Sequence, residues 1–121
     1  HRIGVWKKHF SYSLTRWLPL NQENYRKYHQ LEDLSQKITL LEKILLANIL
    51  SFLQGINLYV EKKIEIKITE ILLQRLEHYK GQEMQAFNIK FTTNVSLPDY
   101  IGLGKGSSSG FGVVKEDSNK K

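Results

Sequence analysis

Cysteine is absent from the 121 residues, which excludes disulfides, cysteine–zinc sites and a thiol nucleophile. The absence suits a reducing compartment, and the expected location is cytoplasmic. Long hydrophobic runs are missing too. The longest, around Ile44–Leu53, is interrupted by Asn48 and Ser51 and reads as too short to span a bilayer. The opening HRIGVWKKHF contains no signal-peptide core, and neither an internal repeat nor a long linker is visible. Residue 1 is histidine rather than methionine, so the chain is expected to be a domain, a fragment or a processed product. Acidic residues are scarce, 12 against 18 Lys and Arg, leaving a formal charge of +6. That excess fits a polyanion such as nucleic acid or an acidic membrane surface, or simply a solvated basic exterior. The length supports one domain with one core.

His9–Leu18 alternates, with Phe10, Tyr12, Leu14 and Leu18 on one side, and reads as a strand that Pro19 ends. Asn21 can cap a helix beginning near Gln22. Over Leu31–Gln54, the apolar residues Leu34, Ile38, Leu41, Leu45, Ile49 and Phe52 recur at three- and four-residue steps, the stripe of a helix across a sheet. Gly55 is expected to supply its left-handed cap. The period then becomes two. Ile64, Ile66 and Ile68 share a face, the phase slips near Thr69–Glu70 as at a bulge, and the strand extends to Tyr79. After a turn at Lys80-Gly81-Gln82, Phe87, Ile89, Phe91, Thr93 and Val95 form the return strand, closed by Pro98. Phe111, Val113 and Val114 suggest a last short strand, and Glu116–Lys121 a fraying polar tail. The order predicts an α+β, ferredoxin-like (RRM-like) antiparallel sheet over residues 1–115. One face lies under the long helix, the second helix is reduced, and the other face is open.

Gly102–Gly112 holds five glycines in eleven residues, with Lys105 and the serines Ser107, Ser108 and Ser109. Such backbone can approach an anion closely, successive amides can cradle it, and lysine and hydroxyls add donors. The chemistry fits phosphate. A P-loop needs Gly-Lys-Ser/Thr leading into a helix, whereas Gly106 follows Lys105 and a strand comes next. A dinucleotide fold needs a further βαβ unit for which too little chain remains. A plain glycine-rich turn stays open as an alternative.

The pattern Gly102-Leu103-Gly104, five residues including Lys105, then Gly110-Phe111-Gly112 resembles the C-terminal signature of the RAMP superfamily of CRISPR-associated proteins. The lead-in Asn94–Ile101, the segment Trp17–Asn21 and the helix Leu40–Phe52 with Gly55 are similar to those of crRNA-maturing endoribonucleases, so the resemblance runs from Trp17 to Val114. One departure is Ser109, where these enzymes often carry Arg. The resemblance implies the second of two tandem ferredoxin-like units, acting in antiviral defence on CRISPR repeat RNA. It implies metal-independent cleavage to a 2′,3′-cyclic phosphate and a 5′-hydroxyl, without a cofactor. The catalytic histidine would belong to the first unit, leaving this chain to bind RNA through Gly102, Gly104, Lys105, Gly106, Ser107, Ser108, Ser109, Gly110 and Gly112; the clustering of basic residues, and not the resemblance, adds Lys8 and Arg16. Expected partners are the repeat RNA, the N-terminal unit and, as an open option, a second copy; no membrane is expected.

His1, His9, His29 and His78 show no i, i+4 ligand spacing, so metal binding has little support and surface positions are the expectation. His9 is the outside candidate for substrate contact. Lys7, Lys8, Arg16, Arg26 and Lys27 interleave with Trp6, Trp17, Tyr25 and Tyr28, which suits phosphate pairing and base stacking, although Trp17 equally suits a core. A non-catalytic RAMP-type RNA-binding or scaffold module is the alternative function, and an unrelated ferredoxin-like interaction domain a third.

Overall fold

The computed structural model describes residues 3–117. In chain order these are β1 (Gly4–Trp17), α1 (Gln22–Gln30), α2 (Leu34–Gly55), β2 (Ile66–Tyr79), β3 (Gln82–Ser96), a 3-10 turn (Ser107–Ser109) and β4 (Val113–Glu116). The four strands form one sheet in the order β2-β3-β1-β4, with every neighbouring pair antiparallel. This is the ferredoxin-like arrangement, with the second helix shrunk to the single turn of serines.

The helical region is two helices rather than one. Asn21 caps α1 by accepting the Asn24 amide at 2.8 Å, and Asp33 caps α2 by accepting the Ser35 amide at 3.1 Å. Between them Leu31 is extended, which lets Tyr28 pack edge-on against Phe87, ring centres 5.7 Å apart, while α2 takes its own course across the sheet. The expected stripe shifts accordingly. Leu41, Leu45, Ile49 and Leu53 are the buried residues of α2, Phe52 is half-buried, and Leu34 is exposed. The left-handed residue that ends the helix is Asn57 (φ 60°), not Gly55, which remains helical. The Leu58 amide reaches back to the Leu53 carbonyl (2.8 Å) and the Asn57 amide to that of Gln54 (3.0 Å), the paired bonds of a Schellman ending. α2 is also long and apolar enough, at 22 residues and mean hydropathy 1.4, to cross a membrane by length and composition, contrary to the expectation from the interrupted run. Its apolar stripe instead lies on the sheet as the core helix of the domain.

Strand irregularities decide which side chains reach the core. β1 begins at Gly4, earlier than expected, because Trp6–His9 form a large bulge: Val5 to Phe10 takes five steps against two on β3, Val95 to Thr93. A second slip between Leu14 and Trp17, with Arg16 at φ 52°, turns both Leu14 and Trp17 inward to full burial. Leu18 therefore leaves the face of Tyr12 and Leu14 and joins Ala86 and Phe111 in a separate small cluster. The expected bulge at Thr69–Glu70 is present, and a second follows between Ile71 and Leu73. Lys80 and Gly81, both at positive φ, make the two-residue hairpin turn.

Alternation puts Phe87, Ile89, Phe91, Thr93 and Val95 under α2, all buried. The opposite face is polar and accessible around Ser11, Ser13, Thr15 and Thr92 but is covered near Ala86 by the Leu18–Phe111 cluster, so it is only partly open. The sheet edges are guarded unequally. Asp99–Gly102 runs along β4, with Tyr100 N–H to Val114 O at 2.6 Å and Val114 N–H to Ile101 O at 3.0 Å. On β2 the Glu42 carboxylate accepts the Ile68 amide at 2.8 Å. Glu116 and Asp117 belong to the fold rather than to a tail: the Asp117 amide bonds Ser11 O at 2.9 Å and its carboxylate approaches Lys90 Nζ at 3.7 Å.

Candidate nucleic-acid interface

The glycine segment straddles the end of the sheet, with one apolar anchor on each side. Leu103 is buried in the main core, and Phe111 in the small cluster on the opposite face. Its two ends are tied in sequence: Leu103 N–H to Gly112 O at 2.8 Å, then Gly112 N–H to Arg16 O at 2.8 Å. Gly112 (φ 69°) lies so close under Leu103 that any Cβ would collide with the Leu103 carbonyl. At Gly104 (φ 83°) a Cβ would meet Asn48 Oδ1 at 2.8 Å and Trp17 Nε1 at 3.3 Å. Those two atoms are themselves bonded, Trp17 Nε1 donating to Asn48 Oδ1 at 2.8 Å. The polar residue that interrupts the apolar helix is thus the acceptor for a buried indole and the floor beneath Gly104.

Arg16 organises the other side. Its amide donates to Asn88 Oδ1 (2.8 Å), its guanidinium lies 4.2 Å over the Phe111 ring, and Nη2 meets Glu77 Oε1 at 3.0 Å. Tyr79 closes on Phe111 edge-on at 5.5 Å. Hydrogen bonding from the Arg16 guanidinium, with Arg75 adding to it, holds the Glu77 carboxyl below its usual range. The β2–β3 hairpin and the glycine segment are thereby joined through one arginine.

What this frame presents is small and polar. Lys105, Ser107, Ser108, Ser109 and Gly110 are exposed, whereas Gly106 and Gly112 are buried and Gly102 sits against Ser107. The closing bonds use the amides of Leu103, Ser109, Gly110, Phe111 and Gly112, and not those of Gly104 and Lys105. Lys105 borders an open groove of about 810 Å³ between the start of α1 and the hairpin, shared with Tyr25, Arg26, Gln22, Leu76 and Gln85. A lysine and an arginine face this groove beside an exposed tyrosine, although Glu23 and Glu83 temper the charge.

Of the residues grouped from sequence, Lys105 and Arg26 come together, and Arg16 lies behind the loop. Lys8 does not join them. It sits in the β1 bulge over Phe10, opposite the far end of β3, about six β3 residues and so roughly 20 Å from Arg16 at 3.3 Å per strand residue. Trp17 and Tyr28 are core residues and not stacking surfaces, and burial raises the Tyr28 pKa. The described histidines are dispersed: His9 bonds Glu65 (2.8 Å), His29 bonds Gln85 (3.0 Å), and His78 lies 3.8 Å from Glu83. His1 lies outside the described residues. Among the described residues no three His, Asp or Glu side chains gather as a metal site. Sequence reasoning missed Asn48, Glu77 and Tyr79 as supports of the loop; for Asn48 the signal was its polarity within an apolar helix.

A ferredoxin-like sheet whose second helix is replaced by this doubly anchored glycine loop defines a Cas6-type CRISPR-associated domain. The chain belongs to the Cas6b C-terminal domain family, whose model matches residues 4–117. It is 36% identical over 113 residues to the uncharacterized protein MJ0978 of Methanocaldococcus jannaschii, covering 93% of this chain and 76% of that one. It superposes on a crystal structure of Cas6b with a TM-score of 0.88 at 29% identity, covering 97% of this chain and 60% of the other. A crystal structure of the CRISPR RNA processing endoribonuclease Cas6b matches with the same TM-score and identity, 0.88 and 29%, and 59% of its length is covered. The chain therefore spans about three-fifths of the solved Cas6b chains. Csf5, a type IV Cas6 crRNA endonuclease, shares the fold at a TM-score of 0.73 and 13% identity.

Proposed function

We propose that this chain is the repeat-RNA-binding domain of a metal-independent endoribonuclease that matures CRISPR RNA. The observation that carries the reading is the glycine loop: a backbone locked at both ends displays three serines and Lys105, and Lys105 borders a groove shared with Arg26 and Tyr25. Phosphates meet Lys105, the loop amides and the serine hydroxyls, and bases have exposed aromatic rings within reach. In the proposed cleavage the ribose 2′-oxygen attacks the adjacent phosphorus and its proton passes to a base. The bond from phosphorus to the 5′-oxygen breaks, and an acid protonates that oxygen, giving a 2′,3′-cyclic phosphate and a 5′-hydroxyl.

The acid and base are assigned to an N-terminal ferredoxin-like unit, in keeping with the dispersed and locally bonded histidines of the described residues. The domain forms the RNA-holding wall of that site, in the cytoplasm. A non-catalytic RNA-binding role is the competing outcome. Incubating the full-length protein with repeat RNA in EDTA, followed by end-group analysis, separates them. Cyclic phosphate and 5′-hydroxyl ends are expected, and binding without cleavage would favour the scaffold role. Lys105→Ala is expected to weaken binding across sequences and to reduce the salt slope by about 1. An unchanged slope would remove Lys105 from the phosphate contacts.

A further inference from the structure

Among the described residues, four other than glycine hold positive φ: Arg16, Asn57, Lys80 and Tyr100. Three have reasons internal to the fold. Arg16 makes the bulge that carries Phe111 and Glu77, Asn57 ends α2 in the conformation Asn tolerates, and Lys80 with Gly81 forms the hairpin turn. Tyr100 is different. A bulky side chain is disfavoured at φ 69°, where Gly or Asn would fit without strain. Its ring does not recover that cost by packing, since it is 68% exposed. The surroundings nevertheless hold it firmly. Its amide donates to Val114 O at 2.6 Å, the preceding Asp99 accepts the Glu116 amide at 2.7 Å, and Lys115 Nζ donates to its hydroxyl at 3.1 Å. The ammonium also lies 5.3 Å from the ring centre.

A rigidly presented aromatic ring with a cation at its phenolic edge, two residues before Gly102, has the composition of a nucleotide platform: ring for the base, ammonium for the neighbouring phosphate. A strained exposed residue over-determined by its neighbours points to a use outside the fold. We propose that Tyr100 and Lys115 form a stacking site for one unpaired nucleotide of the RNA that the glycine loop binds. The site rests on the RNA-binding reading above and extends it from the phosphate backbone to a base. Stacking of this kind tolerates sequence, because every base offers a π-face, so the pair would fix where along the strand the RNA is held more than which base is held.

The test uses the full-length protein with labelled repeat RNA in EDTA, and the variants Tyr100→Phe, Tyr100→Leu and Tyr100→Gly. Tyr100→Phe is expected to bind within about twofold of wild type, and Tyr100→Leu and Tyr100→Gly about 5- to 100-fold more weakly, all with an unchanged salt slope. Tyr100→Gly is expected to melt at a higher temperature than Tyr100→Leu while binding no better, a divergence that a merely structural tyrosine would not give. Scanning the RNA with single abasic nucleotides locates the partner. At one position the abasic RNA should bind wild type and Tyr100→Leu equally, because the base that stacks is gone. Wild-type affinity in Tyr100→Leu, or a loss that persists at every abasic position, overturns the platform. A wild-type protein without affinity for the RNA overturns the RNA reading itself, and the platform with it.

Discussion

Replacing Asn48 with leucine would complete the apolar surface of α2, and on helix propensity alone would stabilise it by roughly 0.4 kcal/mol. The structure reverses the sign. Asn48 Oδ1 accepts the Trp17 indole N–H at 2.8 Å, and Trp17 is fully buried. Leucine keeps the branched heavy-atom skeleton of asparagine, but its methyl cannot approach the indole nitrogen as closely as Oδ1 does, and the indole donor is left without an acceptor. Stranding a buried donor costs roughly 1–3 kcal/mol, and after the propensity gain about 1.5 kcal/mol of destabilisation remains. At an unfolding entropy of roughly 2.1 cal/mol/K per residue, a 121-residue unit loses about 6 °C in Tm. Thermal and urea unfolding followed by circular dichroism measures the change. A double-mutant cycle with Trp17→Phe, which removes the donor, isolates the bond. The two changes should couple by more than about 0.5 kcal/mol, since Asn48→Leu strands nothing once the indole has gone. A Tm that rises in Asn48→Leu, or additive single and double variants, would refute the account of Asn48 as a strut between helix and loop.

The loop's closure makes Gly112→Ala severe. The new methyl would collide with the Leu103 carbonyl at a left-handed backbone position, and about 2–4 kcal/mol of stability should be lost in urea melts, whereas Gly110→Ala, whose methyl at φ 87° would only touch Arg16 Nη1 at 4.0 Å, should lose about 1 kcal/mol. Equal effects at the two positions would contradict the packing at Gly112. Acid should weaken the link between hairpin and loop through Glu77. Its folded pKa is depressed by Arg16, so its contribution is complete above the unfolded value near 4.5 and is lost as pH falls through the folded one. Unfolding curves from pH 6 to pH 2 should show a shallower acid decline for Glu77→Gln than for wild type; parallel profiles would argue against the pair.

Much of this architecture could be read from residue patterns because its signals are local. The hairpin strands alternate over many residues, Asn21 announces its helix, and the Thr69–Glu70 phase slip is visible without coordinates. The helix break was hidden because Leu31 continues the apolar spacing, and only the Asp33 cap and the packing of Tyr28 on Phe87 separate α1 from α2. Arg16 was placed among phosphate ligands on charge. Its engagement depends on a one-residue bulge that brings Phe111 and Glu77 from distant parts of the chain, and no window of sequence contains that information. Lys8 failed to join the loop for the same reason in reverse. Neighbours along a strand share a sequence window, but eight residues of extended chain carry them to opposite ends of a sheet.

The segment Asp99–Gly102 running along β4 has a consequence for growth of the sheet. By occupying that margin it makes the four-stranded sheet one-sided, so a fifth strand of any origin has no vacancy beside β4. On the β2 margin, Glu42 has already claimed the Ile68 amide, which leaves the stretch toward Tyr79, with exposed Leu72, Leu73 and Leu76, as the direction in which the sheet can be continued.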